Sequence, residues 1–172
     1  MNNLYFGTKQ IIATAMTRLA YNQYRGWDLP DDEDGTDAGY LVEYVDGGAS
    51  NHPDHDGYIS WSPADVFDRA YQPSNAMSFG HAIEAMKLGH KVARVGWNGK
   101  GMWVALTPAS SFEAIHAKPG HAAKHRANEF GDPNGVNVEL LAHFDMRAAD
   151  GSMVVGWLAS QPDMLADDWG IV

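Results

Sequence analysis

Hydrophobic and polar positions follow regular periods in two stretches of the chain, and a polar break separates them. In the first stretch, the β-branched run Ile11–Thr17 predicts a strand, and Thr17 can cap a short helix that ends at Gly26. An acidic loop follows, after which Gly39–Gly48 predicts a strand that runs into a turn. The break is Tyr71–Ala76, YQPSNA, where proline, serine and asparagine end the periodicity.

A corner between a strand and a helix is predicted at the end of the first stretch, in GYISWSPADVFDRAY. The strand is expected to end at Trp61, with Ser62 as the helix cap and Pro63 at the first helical position. Asp65 then falls in the first turn, where a carboxylate interacts favourably with the positive end of the helix.

A helix is predicted at the start of the second stretch. Phe79, Ile83 and Met86 recur at helical spacing behind Ser78, which is a suitable N-cap residue. Gly89 suits the position just past the helix end, where the backbone often turns left-handed.

Strands dominate the pattern after this helix. Lys91–Trp97 and Gly101–Pro108 predict two strands joined by the glycine-rich hairpin turn WNGKG. Ser111–Ala117 predicts a helical piece, Asn137–Trp157 a β-hairpin with ADGS at its turn, and Ser160–Trp169 a capped helical turn. The elements together predict an α+β fold, with small antiparallel β-sheets and short flanking helices in two modules.

Composition and charge narrow the range of functions. The chain has 172 residues, no cysteine and a formal net charge of −10. The absence of cysteine excludes a disulfide framework, a thiolate metal site and a cysteine nucleophile, and it fits a reducing cytoplasm. The acidic charge argues against a nucleic-acid duplex as a partner. Neither a signal peptide nor an apolar stretch of roughly 20 residues that could span a membrane is predicted.

The charge is distributed unevenly between the two modules. Residues 1–74 carry 12 acidic and 4 basic residues, a net charge of −8. Residues 75–172 carry 10 acidic and 8 basic residues, a net charge of −2. A small anion therefore meets much less repulsion in the second module.

Clusters of histidine and acid raise the alternative of an enzyme. Asn51–Asp56, NHPDHD, holds His52 and His55 three positions apart among carboxylates, an arrangement that can ligate zinc. The proline inside it favours a solvated loop. A polar insert at Lys118–Gly135 and the residues just before it also contain histidines, without an HExxH pattern. The histidines concerned are His116, His121 and His125. The sequence holds no GxSxG, P-loop or GxGxxG motif.

The glycine-rich stretch Arg94–Trp103, RVGWNGKGMW, is the strongest candidate for a binding site. A tryptophan face can stack on a purine, worth about 1–3 kcal/mol per base, and glycine-turn amides can form an anion-binding concavity. Arg94 and Lys100 add positive charge on either side of Trp97. These features predict a nucleotide pocket, while the alternative that Trp97 and Trp103 are simply core residues at strand ends stays open.

Two separated motifs resemble one known family. The segment Met77–Pro108 contains KVARVGWNGKGM, and Trp157–Trp169 supplies the closing pattern W-x-x-S-Q-x-D-x-L-A-x-D-W. Both are similar to DUF2829, a small phage and prophage domain family that includes the second type of Thoeris anti-defence protein, and the resemblance covers about residues 77–170. It implies a phage-encoded sponge, a homotetramer that traps the cyclic ADP-ribose-type signal of a host TIR-domain enzyme or, in some relatives, cyclic dinucleotides.

The resemblance also implies a ligand-binding set with no catalytic residue, cofactor or metal. Trp97 would stack on the purine, with Asn98 and the glycine backbone that follows it lining the pocket. Ser160, Gln161 and Asp163, at the start of the last helix, would hydrogen-bond ribose or phosphate. The complete implied set is Phe79, Arg94, Trp97, Asn98, Lys100, Met102, Ser160, Gln161 and Asp163.

The expected function is therefore non-enzymatic. Residues 77–172 are predicted to form the DUF2829-like ligand-binding domain, behind an acidic N-terminal phage module at residues 1–74 whose role the sequence does not indicate. The protein is expected to act in the host-cell cytoplasm as a homo-oligomer that sequesters a cyclic nucleotide immune signal without cleaving it. Two alternatives stay open: a nucleotide-processing hydrolase that uses the histidine and aspartate clusters, and a phage structural or regulatory module.

Overall fold

A computed structural model describes residue 4 and residues 7–172, and the chain divides into two compact units between Pro73 and Ser74. The first unit contains a three-stranded antiparallel sheet in the order β1-β2-β3, with two helices. Its elements are β1 (Ile11–Ala15), α1 (Arg18–Arg25), β2 (Gly39–Tyr44), β3 (Tyr58–Pro63) and α2 (Ala64–Ala70).

Helix α1 begins and ends where its capping residues predict. The Thr17 side chain accepts a hydrogen bond from the amide of Ala20 at 3.2 Å, and Gly26 ends the helix in the left-handed region at a φ of 69°. One face of the helix buries Tyr21 against Leu41 and Ile59 of the sheet. The predicted helix and the strand before it are confirmed.

The prediction for the corner at Ser62 was wrong. The antiparallel pairing of β2 with β3 continues through Ser62 and Pro63, which lie opposite Tyr40 and Gly39. The strand thus extends two residues past Trp61, and α2 has Pro63 as its N-cap with no side-chain cap. Ladder pairing with a neighbouring strand outweighs the local capping preference of serine.

The second unit, Ser74–Val172, contains a five-stranded antiparallel sheet in the order β10-β4-β5-β8-β9 and a two-stranded sheet of β6 and β7. The strands are β4 (Val92–Arg94), β5 (Trp103–Thr107), β6 (Ser110–Glu113), β7 (Asn137–Leu140), β8 (His143–Arg147), β9 (Met153–Val154) and β10 (Trp169–Ile171). The helices are α3 (Phe79–Lys87), α4 (Ala122–Ala127) and α5 (Gln161–Met164), with a 3-10 turn at Ala114–His116.

Helix α3 covers one face of the five-stranded sheet and forms the main core with it. Ser78 caps the helix by accepting from the amide of His81, and Gly89 follows the helix end at a φ of 91°. Met86 of the helix packs on Val92 and Val104 of the central strands, and all three are fully buried. The α+β class, with small antiparallel sheets and short helices, is confirmed.

Two predictions in the second unit need correction, and one strand was missed. Ser111–Glu113 lie in strand β6, because Phe112 pairs opposite Val138 and packs on a small core of the insert. The predicted hairpin Asn137–Trp157 is split, since β7 pairs with β6 and only β8 and β9 form the hairpin around ADGS. Strand β10 was not predicted, because its pairing with β4 is long-range and three residues show no periodicity.

No helix in the described part of the chain has the length and apolar character that crossing a membrane requires.

Candidate functional site

A cluster of four aromatic rings lies where α3, β10 and the glycine-rich loop meet. We call Phe79, Trp97, Trp157 and Trp169 the tryptophan cluster. Trp97 makes edge-to-face contacts with Trp169, at 5.3 Å between ring centroids, and with Trp157, at 6.1 Å. Phe79 lies 5.3 Å from Trp169, which is fully buried. Edge-to-face contacts of this kind add to the burial energy and fix the orientation of the rings.

The carboxylate of Asp163 holds the indole of Trp97 in place. Its Oδ1 accepts from Nε1 of Trp97 at 3.0 Å and from Nη1 of Arg94 at 2.9 Å. Its Oδ2 accepts from the hydroxyl of Ser160 at 2.6 Å and the amide of Ser160 at 3.2 Å, which completes a capping box at the start of α5. All four hydrogen-bonding positions of this carboxylate are therefore occupied from within the protein.

These contacts shift the acidity of Asp163. Partial burial on its own raises the pKa of the carboxyl, but the hydrogen bonds from Ser160, Arg94 and Trp97 outweigh it and lower the pKa to about 2. Asp163 therefore remains ionised at every physiological pH. Its place in the capping box and in the network with Arg94 is structural, so a ligand hydroxyl would have to displace an existing donor to reach it.

Arg94 is committed to the same network. Its Nε donates to Asp168 at 2.7 Å while its Nη1 donates to Asp163, and the hydrogen bond to Asp168 is the larger cause that raises the pKa of the guanidinium. Asp168 in turn accepts from the amide of Gly96 at 2.7 Å, and the hydrogen bond from Arg94 lowers its pKa. Arg94 therefore forms ion pairs with two carboxylates. The amide of Gly96, at the start of the glycine-rich loop, already donates to one of them, Asp168.

The remainder of the glycine-rich loop, residues 98–101, differs in that its amides have no hydrogen-bond acceptor in the described part of the chain. Within the described residues, the amides of these four positions make no hydrogen bond, and neither do the exposed side chains of Asn98 and Lys100. Gly101 adopts the left-handed region at a φ of 71°, and its carbonyl accepts from Arg147 at 2.6 Å. The loop presents donors next to an anchored tryptophan while its base is fixed to the sheet.

Gly99 is the tightest point of this loop. A Cβ atom added there would lie 2.3 Å from the sulfur of Met102 and 2.7 Å from the Cβ of Ala149 in the β8–β9 turn. We expect Gly99→Ala to destabilise the second unit by about 1–3 kcal/mol, because the loop must lift off that turn. Chemical denaturation measures the effect, with Gly131→Ala as the comparison, since Gly131 has open space around it and no left-handed backbone.

The structure sorts the nine predicted ligand residues into three groups. Two residues, Phe79 and Met102, pack against the main core. Four others, Arg94, Trp97, Ser160 and Asp163, belong to one hydrogen-bonded network. The remaining three, Asn98, Lys100 and Gln161, are exposed and make no side-chain hydrogen bond within the described part of the chain.

Sequence reasoning missed the roles of two further residues. Asp168 and Trp157 fall inside the closing motif, but what they contact depends on the fold. The partner of Asp168 is Arg94, 74 positions away. Trp157, which follows β9, contacts Trp97 across the fold. The recurrence of aspartate and tryptophan in the motif was the available signal.

The histidine motif of the first unit forms a packed structural loop. Nδ1 of His55 lies 2.7 Å from Glu43, its Nε2 lies 3.0 Å from the hydroxyl of Tyr24, and the Tyr24 ring stacks on His52 at 4.4 Å. The hydrogen bond from His55 lowers the pKa of Glu43. Among the described residues, no group of three or more histidine or carboxylate side chains is placed to hold a metal ion.

Two cavities of the described structure lie away from the predicted set. One of about 320 Å³ in the first unit is lined by Arg18, Glu33, Asp37 and Trp61. Another of about 220 Å³ in the second unit lies in the insert between β5 and β8. Neither of these two cavities is lined by a residue of the tryptophan cluster or of the loop at residues 98–101.

The part of the chain that is similar to known proteins lies within the second unit. Residues 77–172 match the family model described as Tad2-like, the Thoeris anti-defense 2-like domain. Over 96 residues the chain is 34% identical to Thoeris anti-defense 2 of Bacillus phage SP01, and the match covers 56% of this chain and 94% of the phage protein.

Proposed function

The chain belongs to the Thoeris anti-defense 2-like family, and from that premise we propose that it binds a cyclic nucleotide immune signal of the cyclic ADP-ribose type and holds it without cleavage inside the infected cell. The observation that carries the proposal is the loop at residues 98–101. It presents four unpaired amides and the side chains of Asn98 and Lys100 directly after the anchored indole of Trp97. A flat base and a phosphate require these two kinds of partner side by side.

Anchoring of Trp97 supports stacking as the main source of affinity. A ring that is free to rotate loses entropy when it stacks on a base, whereas a ring held by a hydrogen bond and two edge-to-face contacts has lost that freedom on folding. Asp163, Trp157 and Trp169 provide those contacts. Their role in this proposal is to position Trp97, not to touch the ligand.

Retention without turnover is the second part of the proposal. Asp163 and Asp168 are ionised and already accept hydrogen bonds from Arg94, Ser160 and Gly96, so they are poorly suited to take or give a proton during hydrolysis. A protein that only binds reduces the free signal by mass action. It works when its dissociation constant lies well below the signal concentration that activates the host effector.

A homo-oligomer is the form that we propose for the active protein. Four large apolar side chains that flank the tryptophans of the cluster in the sequence are mostly exposed in the single chain, and exposed apolar side chains that lie together mark interfaces. They are Val95 (80%), Val155 (73%), Leu158 (88%) and Leu165 (79%). A second copy that covers these side chains would bury them and enclose the loop at residues 98–101.

The proposal is tested by incubating the full chain with isomers of cyclic ADP-ribose, removing unbound ligand, and heating the protein to release what remains. We expect mass spectrometry to recover the intact signal, in an amount that approaches one molecule per site. Recovery of a cleaved product would favour a nucleotide-processing hydrolase. Absence of binding across a panel of cyclic nucleotides would favour a structural or regulatory module.

The binding-site variant for this experiment is the double variant Asn98→Ala with Lys100→Gln. Both side chains are exposed and unpaired, so the melting temperature should stay unchanged while retention falls by about 10- to 100-fold. Sedimentation of the same samples measures the oligomeric state. A single-chain mass for the ligand-loaded protein would contradict the proposed closure by a second copy.

A further inference from the structure

The insert between β5 and β8 is a small subdomain with its own core. We call Ser110–Leu140 the inserted subdomain. Its strands β6 and β7 pair over four residues each, and Ala114, Ala127 and Val138 are buried beneath Phe112 and Phe130. Because a hydrophobic core fixes its shape, the surface that it carries is preformed.

One stretch of the inserted subdomain carries basic residues without an acidic residue, although the subdomain as a whole holds four acidic and three basic residues. Residues 114–128 contain Lys118, Lys124, Arg126 and three histidines, and no aspartate or glutamate. The acids of the two strands, Glu113 and Glu139, alternate with Phe112 and Leu140 along β6 and β7 and therefore lie on the opposite face of this sheet. The chain as a whole has a net charge of −10, so this concentration runs against the average composition.

A cavity of about 220 Å³ is lined in part by this basic stretch. Its lining includes three nitrogen-bearing side chains, His116, Lys118 and His121, which we call the rim residues, and the apolar side chains of Phe112 and Leu140. None of the ion pairs in the described part of the chain involves these three rim residues. The remaining lining residues are Ala117 and Ala123.

We propose that this cavity is a second ligand site, which binds the phosphate of a small phosphorylated molecule. Lys118 supplies a positive charge that forms no ion pair within the described residues, and the two histidines supply ring nitrogens that can hydrogen-bond phosphate oxygens. The Phe112 ring and Leu140 give the apolar or flat remainder of the ligand a surface to lie on. The site shares no residue with the loop at residues 98–101, and it goes beyond the function proposed above.

The probes that test this site are pyrophosphate and AMP, titrated calorimetrically into the full chain at 150 mM salt. We expect both to bind, with sulfate at the same concentration much weaker. Lys118→Gln should weaken both probes by about tenfold, whereas Lys124→Gln, a change of equal charge on the same subdomain outside the cavity lining, should leave them within about twofold. Phe112→Leu should weaken AMP and leave pyrophosphate unchanged.

Two results would overturn the site. One is absence of binding by both probes at millimolar concentration. The other is an equal loss from Lys118→Gln and Lys124→Gln, which would show diffuse attraction to positive charge and not a formed pocket. The double variant Asn98→Ala with Lys100→Gln should bind AMP in the insert as the unmodified chain does, so failure of the sponge proposal and failure of this one are distinguishable.

Discussion

Replacing Asp163 with alanine is expected to lower the free energy of unfolding of the second unit by about 3 kcal/mol. The substitution removes the acceptor for Arg94, Trp97 and the Ser160 hydroxyl in one step, and its side chain is only 14% exposed. Arg94 keeps Asp168 as a partner, so no cation is left uncompensated. The expected loss of stability is therefore smaller than for a buried ion pair in which removal of one partner leaves the other charge unpaired.

The pH dependence of stability gives an independent measure of the same carboxylate. The pKa of Asp163 is lowered from 3.8 to about 2 in the folded protein, and a shift of one unit corresponds to about 1.4 kcal/mol. The charged form therefore contributes about 2 kcal/mol, which is fully present above roughly pH 4 and is lost as the pH falls towards 2. The difference in stability between the unmodified chain and Asp163→Ala should shrink over that interval.

Denaturant titrations followed by tryptophan fluorescence, repeated between pH 7 and pH 2, measure both effects. Asp167→Ala is the matched control, because Asp167 is exposed and makes no side-chain contact within the described residues. It should change stability by no more than about 0.5 kcal/mol and show no such pH dependence. Equal losses from the two variants would contradict the structural role assigned to Asp163.

Local signals in the sequence were sufficient for the helix ends. Thr17, Ser78 and Ser160 each cap the helix that they were expected to cap, because a capping hydrogen bond joins residues only three positions apart. The cap predicted at Ser62 was wrong because a contact distant in the sequence decides the role of that residue. Its role depends on pairing with Tyr40, 22 positions earlier, and nothing in the local pattern reveals that a neighbouring strand continues there.

In the candidate site, too, the sequence predicted the local features and not the contacts between distant positions. Sequence pattern identified the glycine-rich loop and Trp97 as chemically unusual, since two tryptophans and three glycines in ten residues are uncommon in a core. The structure adds that Arg94 is neutralised by Asp163 and Asp168 and that Gly96 donates to the latter. Pairings over about 70 positions depend on the antiparallel order of β10, β4 and β5, and composition alone does not give that order.

Removing the indole of Trp97 is expected to weaken retention of the cyclic nucleotide signal by about 100-fold. Stacking on an aromatic ring contributes about 1–3 kcal/mol per base, and 1.4 kcal/mol corresponds to a factor of ten in affinity. Trp97→Phe keeps an aromatic face and should lose only part of this affinity. Equilibrium dialysis with a labelled cyclic ADP-ribose isomer measures the dissociation constants of both variants.

Trp97→Ala also disturbs folding, because Trp97 donates to Asp163 and packs edge-to-face on Trp157 and Trp169. Loss of binding by this variant alone would therefore not separate stacking from structure. Trp169→Phe separates them, since Trp169 is fully buried, donates to the carbonyl of Asp163 and cannot touch a ligand. Below its lowered melting temperature this variant should lose only the contribution that Trp169 makes by positioning Trp97, which is a smaller loss of retention than that of Trp97→Ala. A loss as large as that of Trp97→Ala would mean that the cluster only supports the fold.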